Sequence, residues 1–384
     1  MPLDVLALAR DLIRCPSVTP EDAGALGVLE AALVPLGFRC RRLPFSDAVD
    51  RVENLYACIG DGAPVFCFAG HTDVVPVGDE AAWTVAPFAA EIADGFLYGR
   101  GAVDMKGALA AFSAAAAAFL DARGSEFSGS IAMLITGDEE GRSVNGTRKV
   151  LEQLSREGER FDACLVGEPT NPHHLGEMIK IGRRGSLCAR LAVNGAQGHT
   201  AYPDLADNPI PKLLSLLAAL LATPLDQGSA NFQPSHLEMT TIDVGNGATN
   251  VIPGRAEAGF NVRFGDGFTA AGLESHLRAC LDATGIAYIL DIAVTGEAFL
   301  TKPGALTDLV AAAVSQTTGK TPELSTTGGT SDARFLKDVA PVVEFGLAGS
   351  TMHKTDERVA VADLEALTEI YRTILESFFS AANS

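Results

Sequence analysis

Acidic and imidazole side chains follow apolar runs in the first half of the chain. His71 and Asp73 come directly after the run at residues 64–70, in the sequence Gly-His-Thr-Asp. Side chains two residues apart on an extended chain point the same way, so both should emerge together at the end of a strand. An imidazole oriented by a carboxylate is typical of metal sites, although an isolated pair of this kind is more often a surface hydrogen bond.

Three further acidic motifs follow a similar plan. Asp104 lies in GRGAVDMKG, where glycines permit close backbone approach and where the simplest role is that of a helix N-cap. Glu139 and Glu140 in TGDEEG, and Glu168 in VGEPT, each follow another apolar run. Adjacent carboxylates at a sheet edge can divide metal binding and proton transfer between them. Because open α/β sheets bind ligands at the carboxyl ends of their strands, the motifs together predict a metal site.

A second imidazole should come from the last part of the chain. His353 follows an apolar, strand-like run at residues 340–345. Five protein ligands exceed what one catalytic zinc uses, but they suit two zinc ions about 3.5–4 Å apart that share a carboxylate. The predicted metal ligands are His71, Asp104, Glu140, Glu168 and His353.

The elements around these motifs indicate a three-layer α/β core. The runs at 64–70, 130–136 and 162–166 are apolar at almost every position, as expected of strands covered on both faces. The Ala-rich segment 105–123 predicts a helix that ends at Gly124. The order strand, helix, strand implies a right-handed crossover.

The middle of the chain has a different pattern, with polar and apolar residues in alternation. Alternation indicates antiparallel strands with one solvated face, and we expect them at 186–195, 236–245 and 256–264, with helices at 210–222 and 270–284. This predicts a two-layer, ferredoxin-like α+β insert at residues 183–296. The catalytic domain would then be discontinuous, comprising residues 1–182 and 297–384.

Composition narrows the class of partner. The chain has 29 Lys and Arg against 48 Asp and Glu, a net charge of −19, which disfavours nucleic acid and anionic membranes. Its N-terminus carries Asp4 and has no basic segment, and its longest run of small apolar residues, 108–120, is too short to span a bilayer. Seven scattered cysteines favour reduced thiols. We therefore expect a cytoplasmic protein.

In this order, the motifs resemble those of the dizinc amidohydrolases and exopeptidases related to carboxypeptidase G2, aminoacylase and acetylornithine deacetylase. The resemblance covers essentially the whole chain, in GHTDVVPVG (70–78), YGRGAVDMKG (98–107), GDEEG (137–141), VGEPT (166–170), RRGS (183–186), GHTAYP (198–203), TNVIPG (249–254) and STTGGTSDARF (325–335).

The resemblance implies a role for each metal-site residue. Asp104 would bridge two zinc ions, which cobalt can replace. His71 and Glu168 would complete one site, and Glu140 with His353 the other. The resemblance also implies two catalytic side chains beside these ligands. Asp73 would orient His71, and Glu139 would be the general base.

The motifs RRGS and STTGGTSD narrow the implied substrate to N-succinyl-LL-2,6-diaminopimelate, hydrolysed to succinate and LL-2,6-diaminopimelate in lysine and diaminopimelate biosynthesis. The positions that match substrate contacts of the family are Arg183, Ser186, Tyr202, Asn250, Arg263, Gly329 and Thr330. Two positions depart from the family pattern, since Ala333 replaces a glycine and Gly349 an asparagine. The alternatives are a deacylase of another N-acyl amino acid, such as N-acetylornithine, and a non-catalytic zinc-binding protein.

The resemblance also implies a homodimer formed through the insert. His199, in GHTAYP, would reach the active site of the partner subunit and support the oxyanion there. From the residues alone, a single histidine in a glycine-flanked turn is usually only a turn residue.

Overall fold

A computed structural model describes residues 3–123, 127–222 and 224–381. The chain divides into two compact units, of which the first comprises Met1–Ile181, Thr301–Ser325 and Ser331–Ser384. The second comprises Gly182–Leu300 and the short segment Thr326–Thr330, which returns to it from far along the chain.

The helices of the described chain are α1 (Val5–Ile13), α2 (Ala25–Leu33), α3 (Lys106–Arg123), α4 (Thr147–Glu157), α5 (Pro209–Leu221), α6 (Ala270–Asp282), α7 (Ala305–Thr318), α8 (Ala333–Leu336) and α9 (Val361–Ala381). Its strands are β1 (Arg39–Arg42), β2 (Phe45–Ser46), β3 (Arg51–Val52), β4 (Leu55–Asp61), β5 (Val65–His71), β6 (Ile92–Ala93), β7 (Phe96–Tyr98), β8 (Gly129–Thr136), β9 (Ala163–Val166), β10 (Met178–Lys180), β11 (Gly182–Arg183), β12 (Gly185–Asn194), β13 (Gly198–His199), β14 (His236–Asp243), β15 (Val251–Ile252), β16 (Arg255–Phe264), β17 (Ile289–Gly296), β18 (Phe299–Leu300), β19 (Glu323–Ser325), β20 (Val342–Glu344) and β21 (Arg358–Ala360).

The first unit is built on an eight-stranded mixed sheet in the order β1-β4-β8-β5-β9-β20-β10-β19. Its central strands β8, β5, β9 and β20 are parallel to one another. They are buried at almost every position because helices cover both faces of the sheet. The carboxyl ends of these four strands therefore meet at one edge.

Aromatic packing fixes one helical layer on this sheet. Phe112 of α3 stacks on Phe68 of β5 with ring centroids 4.1 Å apart, and Tyr371 of α9 meets Phe68 edge-on at 5.5 Å. Helix α4 instead packs against β8 and α8. The predicted three-layer α/β architecture is confirmed, as is the helix predicted at 105–123. Its predicted end, Gly124, lies outside the described residues.

The second unit contains a four-stranded antiparallel sheet in the order β14-β16-β12-β17. Helix α5 follows β12 and helix α6 follows β16, which gives the ferredoxin-like order βαββαβ predicted for the insert. Alternate residues of β16, among them Phe260 and Val262, are buried against Leu217 of α5 and Leu277 of α6. The alternation of polar and apolar residues thus marked the helix-covered face correctly.

Two further findings concern membranes and thiols. None of the helices among the described residues has the combination of length and apolar character that crossing a bilayer demands. All seven cysteines are free thiols in the structure.

Candidate metal centre

The parallel strands deliver acidic and imidazole side chains to one edge of the first unit. His71 is the last residue of β5, while Glu140 lies four residues after β8 and Glu168 two residues after β9. His353 lies in the loop that follows β20. Since β8 and β9 flank β5 on either side, the strand order itself brings these four side chains together.

Asp104 reaches the same edge from the loop that precedes α3. Gly70 permits this, because a Cβ atom at that position would lie only 2.4 Å from the side chain of Met105. The turn before Asp104 contains Gly101 at φ +87°, a left-handed conformation that favours glycine. Glycines thus allow the Asp104 loop to lie directly against the end of β5.

The two oxygens of Asp104 face two different imidazoles. Its Oδ1 lies 3.2 Å from His71 Nε2, which is also 3.6 Å from Glu168 Oε1. Its Oδ2 lies 3.1 Å from His353 Nε2, which is 2.7 Å from Glu140 Oε1. The five residues predicted as ligands therefore form two groups of potential ligand atoms, and both groups include Asp104.

Asp73 supports both sides of this arrangement. His71 Nδ1 donates to the backbone carbonyl of Asp73 at 2.8 Å, which directs Nε2 toward Asp104. The Asp73 carboxylate lies farther from that ring, at 3.7 Å, and accepts the backbone N–H groups of Glu139 at 3.3 Å and Glu140 at 3.0 Å. The orienting contact expected from the carboxylate is therefore made by the carbonyl, and the carboxylate positions the glutamate turn.

Burial and mutual repulsion disturb the carboxylates of this cluster. Burial raises the pKa of Asp73 to about 6, and burial together with the charge of Asp104 raises the pKa of Glu168 to about 7. Burial and then the charge of Glu168 raise the pKa of Glu139 well above its usual value. Asp104 behaves in the opposite way: burial would raise its pKa, but hydrogen bonds from His353 and His71 keep it well below the ordinary range.

The neighbouring carboxylates raise the pKa of both imidazoles. Hydrogen bonds with Asp104 and then Glu140 raise the pKa of His353 to about 10. Burial alone would lower the pKa of His71, yet its hydrogen bond with Asp104 and the Glu168 carboxylate 3.6 Å away outweigh burial and hold the pKa well above 6.5. Without a cation, the raised pKa values of the two imidazoles, Glu139 and Glu168 favour protonation of these groups and so reduce the negative charge of the centre.

The donor set fits divalent cations. Imidazole nitrogens and carboxylate oxygens are the ligands of catalytic zinc, and their combination here resembles sites with three protein ligands per ion. Oε1 of Glu168 is buried and has no hydrogen-bond partner among the described residues, as expected of an oxygen intended for a metal.

Two buried side chains that sequence analysis did not single out lie behind Asp104. Glu357 and Arg100 form an ion pair with 2.6 Å between Oε2 and Nη1, and they are 0% and 2% exposed respectively. Glu357 lies in no motif that carries chemistry, and Arg100 was hidden between the glycines of GRGAVD. Only the pairing of β7 with β21, which sets Tyr98 opposite Arg358, reveals their proximity.

The residues predicted to contact substrate all belong to the second unit. Arg183 is buried and donates from Nη1 to the carbonyl of Gly329 at 3.1 Å, so it anchors the segment that also contains Thr330. Ser186 lies directly opposite Arg263 in the pairing of β12 with β16. These five residues fall on the connected segments β11, β12, β16 and Thr326–Thr330.

Arg263 has a cationic neighbour. Nη1 of Arg263 and Nε of Arg184 are both buried without a hydrogen-bond partner among the described residues. Burial, and next the charge of Arg263, lower the pKa of Arg184. Two guanidinium groups in this condition favour an anion that can accept their hydrogen bonds.

His199, Tyr202 and Asn250 lie together at another part of the second unit. The rings of His199 and Tyr202 are 5.8 Å apart, and Thr200 donates its backbone N–H to the carbonyl of Asn250 at 3.1 Å. Nδ1 of His199 accepts the N–H of Ala201 at 3.0 Å, which leaves Nε2 of this exposed side chain to act as a donor.

The two departures from the family pattern lie in the first unit. Ala333 is fully buried at the start of α8. A Cβ atom at Gly349 would meet Pro169 at 3.7 Å, an ordinary contact, so this position has space for a side chain.

The fold and the site together define a metal-dependent class of hydrolase, and comparison with known proteins agrees. Residues 67–377 match the model of peptidase family M20/M25/M40, and the chain belongs to this family. The resemblance inferred from the motifs is thereby confirmed, and so is the expectation of a hydrolase.

Within the family, full-length relatives carry one particular name. Proteins named succinyl-diaminopimelate desuccinylase from Rhodospirillum centenum and Methylorubrum populi are 64% and 61% identical to the chain. The first match covers 99% of this chain and 98% of the relative, and the second covers 98% of each.

Solved structures share the fold at low identity. The M20 family metallo-carboxypeptidase Sso-CP2 from Sulfolobus solfataricus is 17% identical with a TM-score of 0.81, over 98% of this chain and 99% of that one. The Bacillus subtilis YXEP protein, described as a dinuclear metal binding peptidase, is 17% identical with a TM-score of 0.71, over 98% and 97%.

Proposed function

We propose that the protein hydrolyses the amide bond of N-succinyl-LL-2,6-diaminopimelate and releases succinate and LL-2,6-diaminopimelate. The observation that carries this proposal is the 57–64% identity, over nearly the whole chain, to relatives named succinyl-diaminopimelate desuccinylase. The reaction belongs to lysine and diaminopimelate biosynthesis. The free cysteines support a reducing location such as the cytoplasm.

Two zinc ions, which cobalt could replace, would be held by the two groups of ligands. His71, Asp104 and Glu168 would bind one, and Asp104, Glu140 and His353 the other. When bound, these ions would polarise the substrate carbonyl and make water a better nucleophile at neutral pH.

Glu139 acts as the general base in this proposal. Its carboxylate takes the proton of the attacking water and passes it to the leaving amine nitrogen. A pKa raised by burial suits this role, because a base works best when its pKa lies near the working pH. Asp73 holds the Glu139 backbone in position through the hydrogen bond at 3.3 Å.

Guanidinium groups of the second unit would recognise the carboxylates of the substrate. A net charge of −19 disfavours an anionic substrate at long range, so recognition must be local. Arg263, whose buried Nη1 has no hydrogen-bond partner in the described part of the chain, is suited to a carboxylate. Arg183 acts through the loop at Gly329 and Thr330, with Ser186, Tyr202 and Asn250 supplying neutral contacts.

The second unit would also form a homodimer. Strand β14 lies at the edge of its sheet, where one side of the strand can pair with another chain. Leu205, Leu214, Leu221 and Ile242 expose more than half of their surface in this unit. Exposed apolar side chains in the same unit as an unpaired sheet edge support pairing of two copies. His199, whose Nε2 can act as a hydrogen-bond donor, would then donate to the oxyanion in the partner's active site.

The proposed reaction can be tested by comparing two substrates. The purified protein should hydrolyse N-succinyl-LL-2,6-diaminopimelate, lose this activity in chelator and regain it with Zn²⁺ or Co²⁺. Initial rates with N-acetylornithine provide the comparison. A preference of about tenfold for N-acetylornithine, ~1.4 kcal/mol in transition-state binding, would contradict the assignment. A metal-loaded protein that hydrolysed neither compound would be a binding protein.

The role of His199 can be tested by mixing inactive subunits. Glu139→Ala and His199→Ala are each expected to abolish most activity. In mixed dimers, one active site then combines an intact Glu139 with an intact His199 from the other chain, so activity should return. A mixture no more active than its components, after subunit exchange has been verified, contradicts action between subunits.

A further inference from the structure

We propose that the buried ion pair of Arg100 and Glu357 is a positioning device that holds Asp104 and His353 in the geometry needed to bind metal. The proposal rests on the proposed function and adds to it two residues that touch neither metal nor substrate. They connect the backbones of three loops that carry ligands.

Glu357 controls the backbone at Asp104. Its Oε1 accepts the N–H of Val103 at 2.9 Å and that of Asp104 at 3.1 Å, while Oε2 pairs with Arg100. Two hydrogen bonds to consecutive amides fix the orientation of the peptide from which the Asp104 carboxylate projects. Because Asp104 faces both His71 and His353, a small rotation there would disturb both groups of ligands.

Arg100 controls the backbone at His353. Its Nη2 donates to the carbonyls of His353 at 3.4 Å and Pro76 at 3.3 Å, and Nη1 donates to that of Lys354 at 3.2 Å. His353 has φ +60°, in the left-handed region that few residues other than glycine occupy. Pro76 lies in the loop after His71, so one guanidinium group joins both imidazole-bearing loops.

The energetics of buried charge favour a positioning role over a purely stabilising one. An apolar pair of similar volume is often as stable as a buried ion pair, because charges lose their hydration. An apolar pair makes no directional contacts that could fix the orientation of a neighbouring backbone. Arg100 and Glu357 instead make six hydrogen bonds: the ion pair itself, three to backbone carbonyl oxygens and two from backbone amides.

The fold does not depend on this pair alone. Strands β7 and β21 are paired through their own backbones, and the N–H of Gly99 donates to the carbonyl of Glu357 at 2.9 Å. Trp83 lies beside the guanidinium, with 5.3 Å between its ring centroid and Cζ of Arg100. An apolar replacement of both charges should therefore fold.

The test compares Arg100→Met/Glu357→Leu with a control double variant of a half-buried ion pair, Arg42→Met/Glu30→Leu. Arg42 and Glu30 form a bidentate pair at 2.7 and 2.8 Å in the same unit, and among the described residues their hydrogen bonds and ion pairs involve Asp22 but no ligand loop. Zn²⁺ is titrated into each chelator-treated protein by calorimetry, and thermal unfolding of the metal-free proteins is followed in parallel. We expect the affinity of at least one of two Zn²⁺ ions to fall about 10–100-fold in the first variant, with wild-type affinity in the control.

Single substitutions at Glu357 separate positioning from stability. Glu357→Gln keeps an oxygen that can accept the N–H groups of Val103 and Asp104, whereas Glu357→Leu does not. Zn²⁺ affinity should therefore lie between wild type and Glu357→Leu in the glutamine variant, whatever the order of their unfolding temperatures. This comparison also decides the matter if the double variant does not fold.

The outcomes distinguish this proposal from the proposed function. Wild-type Zn²⁺ affinities in both Arg100→Met/Glu357→Leu and Glu357→Leu overturn the positioning role alone, as does an equal loss in the control variant. A wild-type protein that fails to bind two Zn²⁺ ions overturns the metal centre and the positioning role together.

Discussion

Glu139 and Glu140 are neighbours in sequence but have different surroundings. Glu140 Oε1 lies 2.7 Å from His353 Nε2 and belongs to the group that includes Asp104. The pKa of Glu139 is raised by burial and by Glu168, which suits proton transfer. Yet Glu139 can also form a ligand group with His71 and Glu140, so geometry alone leaves two assignments for this carboxylate.

Paired substitutions separate the two assignments. We expect Glu139→Gln to lower kcat about 10²–10⁴-fold with little change in KM or in Zn²⁺ stoichiometry, because an amide cannot accept the proton of water but preserves the shape of the side chain. Glu140→Gln should instead weaken binding of one Zn²⁺ ion. Steady-state kinetics and metal analysis of both proteins provide the measurements. Loss of a bound ion in Glu139→Gln would show that Glu139 is a ligand.

The pattern of apolar residues predicted those strands whose burial depends only on their own sequence and on the helices that cover them. The apolar runs at 64–70, 130–136 and 162–166 correspond to β5, β8 and β9 because strands buried on both faces must be apolar throughout. The side chains at their carboxyl ends could be placed near one another because parallel neighbours share an edge.

Contacts between residues far apart in the chain have no pattern in the sequence from which they could be predicted. The Arg100–Glu357 pair joins positions 257 residues apart, through the short strands β7 and β21. Segment Thr326–Thr330 belongs to the second unit although the chain around it belongs to the first. The contact of His71 with the Asp73 carbonyl, in place of the carboxylate, depends on a loop conformation that residue types do not specify.

Five carboxylic side chains of the protein meet at its metal centre. Among the 48 acidic residues, Asp73, Asp104 and Glu168 are nearly fully buried there, beside Glu139 and Glu140. Without cations, the fold holds protons at this centre that an unfolded chain would release. The stability of the whole protein should therefore depend on pH differently with and without metal.

For the metal-free protein, the sign follows from the folded and unfolded pKa values. Glu168 titrates at about 7 in the fold and at about 4.3 when unfolded, so the folded state binds more protons between these values and stability falls as pH rises. His353 titrates at about 10 in the fold and at about 6.5 when unfolded, so its contribution is complete below about 6.5 and is lost as pH rises toward 10. Burial lowers the pKa of Lys106 to about 8, which adds stability with rising pH only above that value.

Raising the pH from about 6.5 to about 8 should thus lower the unfolding temperature of the chelator-treated protein. With Zn²⁺ in excess it should fall less or rise, because cations bind deprotonated ligands and compete with fewer protons at higher pH. Differential scanning calorimetry across this range, with and without Zn²⁺, measures the gap between the two forms. In His353→Gln, which lacks one of the titrating groups, the metal-free protein should show a shallower decline. A gap that stayed constant with pH would mean that metal does not replace protons at this centre.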